Sequence, residues 1–274
     1  MENEAPVAST YGLLVEVEPY DPLIGAGIDT MIRSNTNLIW CESPGSVTME
    51  IQDVPSIVEA AHAKGVAVAL DNTYAAGVMF DAFAHGVDVS MQALTKYVGG
   101  HSDLLLGSVS ARDAIAYEKL GPIYQQLGLA VSPDDCSLAL RGLQTLAVRL
   151  DTLEKSTMKV AHWLTEHPLV GRVLHPAFAS CPGHDIWVRD FTGSTSVFSF
   201  VFDHYISPEK AIDFLNNLQI FRIGMSWGGV NSLAVIYPDL IRSNQDFGGR
   251  IVRLNIGLES IDDLISDLEQ AFRK

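Results

Sequence analysis

Short apolar runs alternate with segments of helical spacing along the first half of the chain, and this pattern predicts an α/β fold. Residues 36–41 form an apolar run with β-branched and aromatic members, which is typical of a buried strand. Residues 54–64 carry apolar side chains at helical spacing, and residues 66–70 are the next strand-like run. A strand, a helix and a strand at this interval predict a βαβ unit in a parallel sheet. Two further short strands are predicted at residues 87–90 and 104–110.

The second half of the chain is predicted to form a smaller α/β module. A long helix begins at Ser132, which is suited to be its N-cap ahead of Pro133, and continues to Leu164 with no obvious stop. We place a domain boundary inside this helix, so that residues 1–142 form a larger domain and residues 143–274 a smaller one. Elsewhere the pattern predicts helices at 28–34, 112–129, 208–218 and 261–272, and strands at 196–202, 221–224 and 251–256.

Composition narrows the class of protein. The chain has 274 residues, of which 47% are hydrophobic, so it is able to bury a core. Its formal net charge of −15 argues against nucleic acid or an anionic membrane as a partner. The three cysteines are scattered and do not suggest a disulfide framework. The acidic start, Met1–Glu4, lacks the basic region of a secretory signal, and we expect a cytoplasmic protein.

The most informative stretch runs from Asp71 to Asp103. Asp71 follows the predicted strand at 66–70, and the carboxyl ends of sheet strands are where α/β folds bind ligands. Lys96 lies among apolar and small residues, and burial disfavours the charged form of an amine. A neutral lysine is a nucleophile that forms a Schiff base with an aldehyde. Pyridoxal phosphate (PLP) needs both groups, a lysine for its aldehyde and an acid for its ring nitrogen.

Five ordered motifs resemble the PLP-dependent enzymes of Cys/Met metabolism. They are Asp71-Asn72-Thr73-Tyr74-Ala75-Ala76-Gly77 with Ser90-Met91-Gln92-Ala93-Leu94-Thr95-Lys96-Tyr97, Gly100-His101-Ser102-Asp103, Glu42-Ser43-Pro44-Gly45-Ser46, Gly224-Met225-Ser226-Trp227-Gly228-Gly229, and Arg253-Leu254-Asn255-Ile256-Gly257-Leu258-Glu259. The resemblance extends from about Asp21 to the C-terminus. It implies a fold-type I architecture, similar to aspartate aminotransferase, with a mostly parallel sheet domain and a smaller C-terminal α/β domain.

The resemblance also implies roles for particular residues. Lys96 would carry the cofactor and act as the catalytic base, and Asp71 would pair with the ring nitrogen. Thr95 would offer a hydroxyl to the cofactor phosphate, although Ala93 stands where many relatives have a second hydroxyl. Tyr74 would lie beside the cofactor ring or pack below it. The substrate would be bound by Arg253, through its α-carboxylate, and by Ser226 and Trp227.

Each of these residues also has a structural interpretation. Asp71 could cap a helix, Thr95 could bond its own backbone, Arg253 could form a salt bridge, and Trp227 could simply pack. Glu42 and Ser46, at the end of a predicted strand, could touch the site. His175, Cys181 and His184 are too few for a zinc site and are better explained as loop residues, so no metal is expected.

Among family activities, the Ser226-Trp227-Gly228-Gly229 variant favours cystathionine β-lyase, with a sulfur amino acid as substrate. Cystathionine γ-synthase and methionine γ-lyase activities remain open, and a homo-oligomer, usually a tetramer in the family, is expected. The Gly-rich phosphate-binding turn and the stacking tyrosine of relatives are not found ahead of Asp71. A second hypothesis is therefore a truncated, non-catalytic remnant of such an enzyme.

Overall fold

The first sheet has four strands and places Asp71 at its carboxyl edge. A computed structural model describes residues 16–242 and 245–273. The strands lie in the order β1 (Leu38–Glu42), β2 (Ala67–Asp71), β3 (Val89–Ala93) and β4 (Gly107–Ala111). The first three are parallel and β4 is antiparallel to β3, so the predicted parallel βαβ unit is confirmed.

Helix α1 (Val54–Ala63) connects β1 to β2 and agrees with the predicted segment. The Asp53 carboxylate caps it by accepting a hydrogen bond from the Ser56 amide at 3.2 Å. Its buried side chains, Val54, Ile57, Val58 and Ala61, follow the apolar spacing seen in the sequence.

Some predicted boundaries are wrong. The segment predicted as a helix at 28–34 is a 3₁₀ helix that begins earlier, at Gly25–Met31. Strand β4 begins at Gly107, because residues 104–106 belong to the loop that carries Lys96 back toward the sheet. Here the Leu106 backbone is paired with the Thr95 hydroxyl. A run of leucines alone does not distinguish a strand from a buried loop.

Helix α2 (Ala114–Gln126) is followed by the long helix α3 (Pro133–Thr165). Ser132 caps α3, since its hydroxyl accepts a hydrogen bond from the Asp135 amide at 3.0 Å, as predicted. The helix passes through Gly142 without interruption over its 33 residues. The proposed division between residues 142 and 143 therefore falls within one helix and stays a prediction.

The second sheet is mainly antiparallel. Its strand order is β5 (Val170–Leu174), β6 (Val197–Phe202), β11 (Ile251–Asn255), β8 (Leu233–Tyr237) and β7 (Arg222–Ile223), with only β7 and β8 parallel. Strands β9 (Ile241–Arg242) and β10 (Gln245–Asp246) form a separate hairpin. The sequence interpretation missed β8 and the short helix α4 (His184–Asp190). Helices α5 (Pro208–Asn217) and α6 (Ile261–Phe272) match their predictions.

Each sheet has its own apolar core. One core packs α1 against the first sheet around Ile57, Val68 and Leu70. The other packs α5, α6 and the end of α3 against the second sheet around Phe198, Phe200 and Leu254. Within residues 16–242 and 245–273, no helix is long and apolar enough to cross a membrane.

Candidate active site

A cavity of about 140 Å³ lies at the carboxyl ends of β1, β2 and β3. It is lined from the first sheet and its loops by Glu42, Pro44, Gly45, Ser46, Val47, Met49, Asp71, Thr73, Tyr74, Ala93 and Lys96. From the second sheet it is lined by Val197, Trp227 and Arg253. Residues far apart in the sequence thus converge on one pocket, and five of the predicted site residues are among them: Lys96, Asp71, Tyr74, Trp227 and Arg253.

Lys96 is half-buried at the wall of this cavity. Its Nζ donates a hydrogen bond to Oγ of Ser226 at 3.1 Å and lies 5.1 Å from the centre of the Trp227 ring. Burial, and then the positive charge of Arg253, lower the pKa of Lys96, and the Asp71 carboxylate opposes this shift. A larger share of this amine is therefore unprotonated at neutral pH than is usual for a lysine, as nucleophilic chemistry requires.

Asp71 ends β2 and is held by the residue two positions later. Its Oδ1 accepts hydrogen bonds from the Thr73 amide at 3.0 Å and from the Thr73 hydroxyl at 2.6 Å. The Thr73 hydroxyl in turn accepts a bond from the Ala93 amide at the end of β3. In the part of the chain that the structure describes, nothing donates to Oδ2 of Asp71. This oxygen is available to a proton-bearing group in the cavity.

Arg253 reaches the cavity from the middle of β11 and is 8% exposed. One guanidinium nitrogen donates to the Met225 carbonyl at 2.5 Å, and the group lies 5.6 Å from the Tyr237 ring. No carboxylate among the described residues pairs with it, so the salt bridge considered from the sequence is not formed there. Burial lowers the pKa of Arg253. A buried cation without an anion of its own is suited to bind one.

Trp227 and Ser226 belong to the loop after β7 that lies over Lys96. The Trp227 ring is half-buried, packs 5.4 Å from the Tyr97 ring and faces the cavity. Gly228, next in the loop, has a φ of 81°, and a Cβ there would lie 3.0–3.1 Å from the backbone and Cβ of Lys96. The glycine therefore permits both the left-handed turn and the close approach to Lys96.

The other two predicted cofactor contacts are Tyr74, which lines the cavity, and Thr95, which does not. Tyr74 lines the cavity but is buried, and its hydroxyl accepts a hydrogen bond from the Thr195 amide at 3.4 Å. Thr95 does not line the cavity. Its hydroxyl donates to the Leu106 carbonyl at 3.2 Å and accepts from the Leu106 amide at 3.0 Å. The Thr95 hydroxyl thus makes the backbone hydrogen bonds of the structural interpretation, and its contact with the cofactor phosphate stays a prediction.

The three residues that were considered as zinc ligands have separate hydrogen-bond partners. His175 accepts a bond from the Ala177 amide, Cys181 donates to the Met49 carbonyl, and His184 contacts the Pro176 carbonyl. Across residues 16–242 and 245–273, no group of three His, Cys, Asp or Glu side chains is placed to hold a metal ion.

Sequence reasoning missed several residues that build this site. Thr73 orients Asp71, and Asn255 and Arg149 hold loops around Lys96. Arg149 had a signal in the sequence, since it lies on the apolar face of α3 that carries Leu146, Leu150 and Leu153. An arginine on an apolar helix face requires hydrogen-bond partners inside the protein. Which partners it finds depends on the tertiary structure.

Comparison with known proteins decides the family. The model of the Cys/Met metabolism PLP-dependent enzymes matches residues 7–273. The chain belongs to this family. Cystathionine beta-lyase MetC of Escherichia coli is 44% identical over 263 residues, covering 93% of this chain and 66% of that protein. A putative cystathionine beta-lyase of Rhizobium johnstonii is 46% identical over 263 residues, covering 94% and 66% respectively.

A solved structure has the same fold. Cystathionine gamma synthase from Xanthomonas oryzae pv. oryzae, solved with aminoacrylate and cysteine, aligns with a TM-score of 0.80 at 31% identity. The alignment covers 86% of this chain and 63% of that one. The predicted fold-type I α/β architecture is confirmed. The chain spans about two thirds of the length of these relatives.

The residues around the cavity fit the cofactor of the family, pyridoxal phosphate. An amine with a lowered pKa and a carboxylate oxygen with no described donor line the same cavity. These are the two groups that the cofactor's aldehyde and ring nitrogen require. The carboxylate is fixed in orientation by Thr73, so the match includes a defined position for the acid.

Proposed function

We propose that this chain is a PLP-dependent carbon–sulfur lyase of the cystathionine β-lyase type. The observation that carries the proposal is the meeting of Lys96, Asp71 and Arg253 in one cavity. The family match and the two cystathionine beta-lyase relatives support the choice of activity. The overall reaction would convert L-cystathionine and water to homocysteine, pyruvate and ammonia.

Lys96 is the residue proposed to hold the cofactor and to move the substrate's Cα proton. When bound, the cofactor supplies an electron sink for the negative charge that develops at Cα. The lowered pKa of Lys96 provides a free amine that can accept a proton at neutral pH. The Ser226 hydroxyl, at 3.1 Å, holds the end of the side chain within the cavity.

Asp71 and Arg253 are proposed to orient the two ligands. Asp71 is held by Thr73, and among the described residues nothing donates to its second oxygen. It would keep the cofactor's ring nitrogen protonated. Arg253 would bind the α-carboxylate of the substrate with charge-assisted hydrogen bonds. Trp227 would exclude water from one wall of the cavity, where its ring already packs against Tyr97. Thr95 and Tyr74 are kept as proposed cofactor contacts.

The first experiment measures attachment of the cofactor to Lys96. The purified chain is incubated with PLP, reduced with borohydride and digested, and the labelled peptides are identified by mass spectrometry. We expect label on Lys96 and a visible absorbance band that the variant Lys96→Ala lacks. The matched control is Lys210→Ala, which removes an exposed lysine on α5 and leaves Lys96 in place.

Activity is then measured by formation of pyruvate from L-cystathionine. Lys96→Ala should reduce turnover by about 10³-fold or more, since the residue would be both the attachment point and the base. Residual turnover close to that of the unmodified chain would overturn the role of Lys96. Absence of Lys96-dependent binding in the unmodified chain would instead favour the non-catalytic hypothesis.

The sister activities are distinguished by the product. Cleavage of cystathionine at Cβ–S leaves a three-carbon keto acid, whereas cleavage at Cγ–S leaves a four-carbon one. Methionine γ-lyase breaks a Cγ–S bond and cystathionine γ-synthase forms one, so both sister activities act at Cγ, and a cystathionine gamma synthase has the same fold. Pyruvate as the major keto acid is the expected result, and a predominance of the four-carbon acid would reassign the substrate bond.

We propose that the chain functions as a homo-oligomer. Helix α2 buries none of its residues, and it exposes Ile115, Tyr117, Ile123 and Tyr124. Exposed apolar side chains on a helix that buries none of its residues in its own chain are typical of a protein interface. Light scattering across a range of concentrations should give a mass at least twice that of the 29.8 kDa chain. A monomer at all concentrations would contradict this proposal. The cytoplasmic location stays a prediction.

A further inference from the structure

Arg149, on helix α3, contacts the backbone immediately after Lys96. Its Nη1 donates to the Tyr97 carbonyl at 2.7 Å, and its Nη2 lies 3.4 Å from the Val98 carbonyl. The same Nη2 donates to the Gly142 carbonyl at 2.8 Å, and Nε donates to the Thr145 hydroxyl at 3.0 Å. Residues 94–106, between β3 and β4, are called the Lys96 loop here. The guanidinium therefore links two consecutive peptide groups of this loop to the helix.

The backbone carbonyls of Lys96 and of the two residues after it are hydrogen-bonded. The Lys96 amide donates to the Ala93 carbonyl at 3.0 Å, and the Lys96 carbonyl accepts from the Gly100 amide at 2.7 Å. Arg149 holds the next two carbonyls, so the carbonyls of three successive residues from Lys96 onward are all bound. Because every carbonyl has a fixed partner, the Cα–Cβ direction of Lys96 is fixed as well.

The close approach of helix and loop depends on small residues. A Cβ at Gly142 would overlap the carbonyl oxygen of Val98, and a Cβ at Gly100 would overlap the Arg149 guanidinium. Helix α3 thus lies directly against the loop, with the arginine between them. The arginine is 6% exposed.

Arg149 is an unusual choice for a purely structural contact. Burial lowers its pKa, and no described carboxylate pairs with it. A buried cation that is satisfied only by neutral carbonyl and hydroxyl groups is costly to maintain. An apolar residue could fill the same space between helix and loop, but it could not fix the directions of two peptide groups.

We propose that Arg149 is a positioning residue that holds the Lys96 loop so that the amine stays half-buried beside Ser226. The guanidinium holds the Tyr97–Val98 and Val98–Gly99 peptide planes, and these support the Lys96 backbone, whose own carbonyl is bound by the Gly100 amide. The inference deepens the role of Lys96 given above. It is tested on the amine itself, so its failure is distinct from failure of the lyase assignment.

The test measures the reactivity of Lys96 in the chain without added cofactor. Trace labelling with acetic anhydride is carried out from neutral to alkaline pH, and labelled peptides are quantified by mass spectrometry. The exposed Lys210, on α5, provides an internal reference in every sample. The variants are Arg149→Lys, which keeps the charge but loses the forked contacts, and Arg149→Met, which also removes the charge. The control is Val160→Ala. This variant leaves a cavity at a position of the same helix that packs in the core of the second sheet.

We expect both Arg149 variants to lower the labelling of Lys96 relative to Lys210 by about threefold or more at neutral pH. A looser loop admits water to the amine, so its titration moves to higher pH in both variants. Val160→Ala should lower stability without moving the titration of Lys96. Arg149 variants that are destabilised but label like the unmodified chain would show a structural role only and overturn the proposal.

If the Arg149 variants do not fold, the milder variant Thr145→Val tests the positioning role of Arg149. It removes the hydroxyl that orients Nε of Arg149 and leaves the guanidinium in place. We expect a smaller shift of the Lys96 titration in the same direction, with faster hydrogen exchange at Gly99 and Gly100. The absence of both changes in folded Thr145→Val would overturn the proposal.

Discussion

The hydroxyl of Tyr97 lies 2.9 Å from the hydroxyl of Ser196, and this contact joins the Lys96 loop to the strand β6 side of the site. The Ser196 hydroxyl donates to Oδ1 of Asn255 at 2.8 Å, and the Gly228 amide donates to the same oxygen at 2.9 Å. Nδ2 of Asn255 donates to the Asn231 carbonyl, which fixes the orientation of the amide. Tyr97 must therefore donate to Ser196, since the serine proton is already directed at Asn255.

Tyr97→Phe should loosen this network. The variant removes the donor to Ser196 and the acceptor of the Ser196 amide at 3.1 Å, which leaves buried polar groups unpaired. We expect a loss of about 1–3 kcal/mol in the free energy of unfolding. Chemical denaturation of the variant beside the unmodified chain measures this loss.

Tyr205→Phe is the matched control, because that tyrosine is exposed and its hydroxyl bonds the Pro168 carbonyl at the protein surface. Equal stability of both variants would show that the network contributes nothing beyond packing of the ring.

Asn255→Leu tests whether the same network holds the loop of Ser226 and Trp227. The variant removes the acceptor of the Gly228 amide, and we expect the loop to move away from Lys96. Trp227 reports this movement, because its ring packs on Tyr97 and faces the cavity. Quenching of tryptophan fluorescence by acrylamide should increase in Asn255→Leu and remain unchanged in Asn217→Leu, at the C-terminal end of α5. The other three tryptophans contribute a constant background fluorescence in both variants.

The sequence predicted the elements of the first sheet because periodicity and turn residues are local signals. Strand β2 and helix α1 were placed within one or two residues, and Asp71 was placed at the edge of the sheet. Strand β8 was missed although its five residues are mostly apolar, and α4 was missed because it is only seven residues long within a loop. The local sequence patterns of β8 and α4 were too weak or too short to predict these two elements.

The site was less predictable than the fold. Lys96, Asp71 and Arg253 could be found because their residue types carry the chemistry, and the structure brings them together. The phosphate contact of Thr95 stays a prediction. A hydroxyl beside a lysine suits a phosphate, but the Leu106 backbone lies close enough to bind it on both sides. The contacts of Arg149 and Asn255 join segments far apart in the sequence, so no local pattern contains them.

His175 should make stability depend on pH. It is fully buried, and burial together with the charge of His162 lowers its pKa to about 3. In the unfolded chain the pKa is about 6.5, so below that value the unfolded state binds a proton that the folded state does not. Stability therefore falls as pH decreases from about 6.5 toward 3, by up to about 1.4 kcal/mol per pH unit.

The variant His175→Asn removes this titration and retains an acceptor for the Ala177 amide. Between about pH 6.5 and 5 the free energy of unfolding should change less in the variant than in the unmodified chain. Urea denaturation at several pH values measures both slopes. Parallel slopes would show that His175 gains its proton in the folded state as readily as in the unfolded one.

Arg253→Ala should weaken binding of ligands that carry a carboxylate. Because the guanidinium is buried and has no anion of its own among the described residues, its loss should cost about 2–5 kcal/mol of binding free energy, or a Kd at least about 30-fold higher. The measurement is kcat/KM for L-cystathionine, with Arg222→Ala as the control, since Arg222 is exposed on β7. Arg253→Lys should restore only part of the loss, because a single ammonium cannot form the two-pronged contact. A full recovery by lysine would show that charge alone is needed, and an unchanged kcat/KM in Arg253→Ala would place the substrate carboxylate elsewhere.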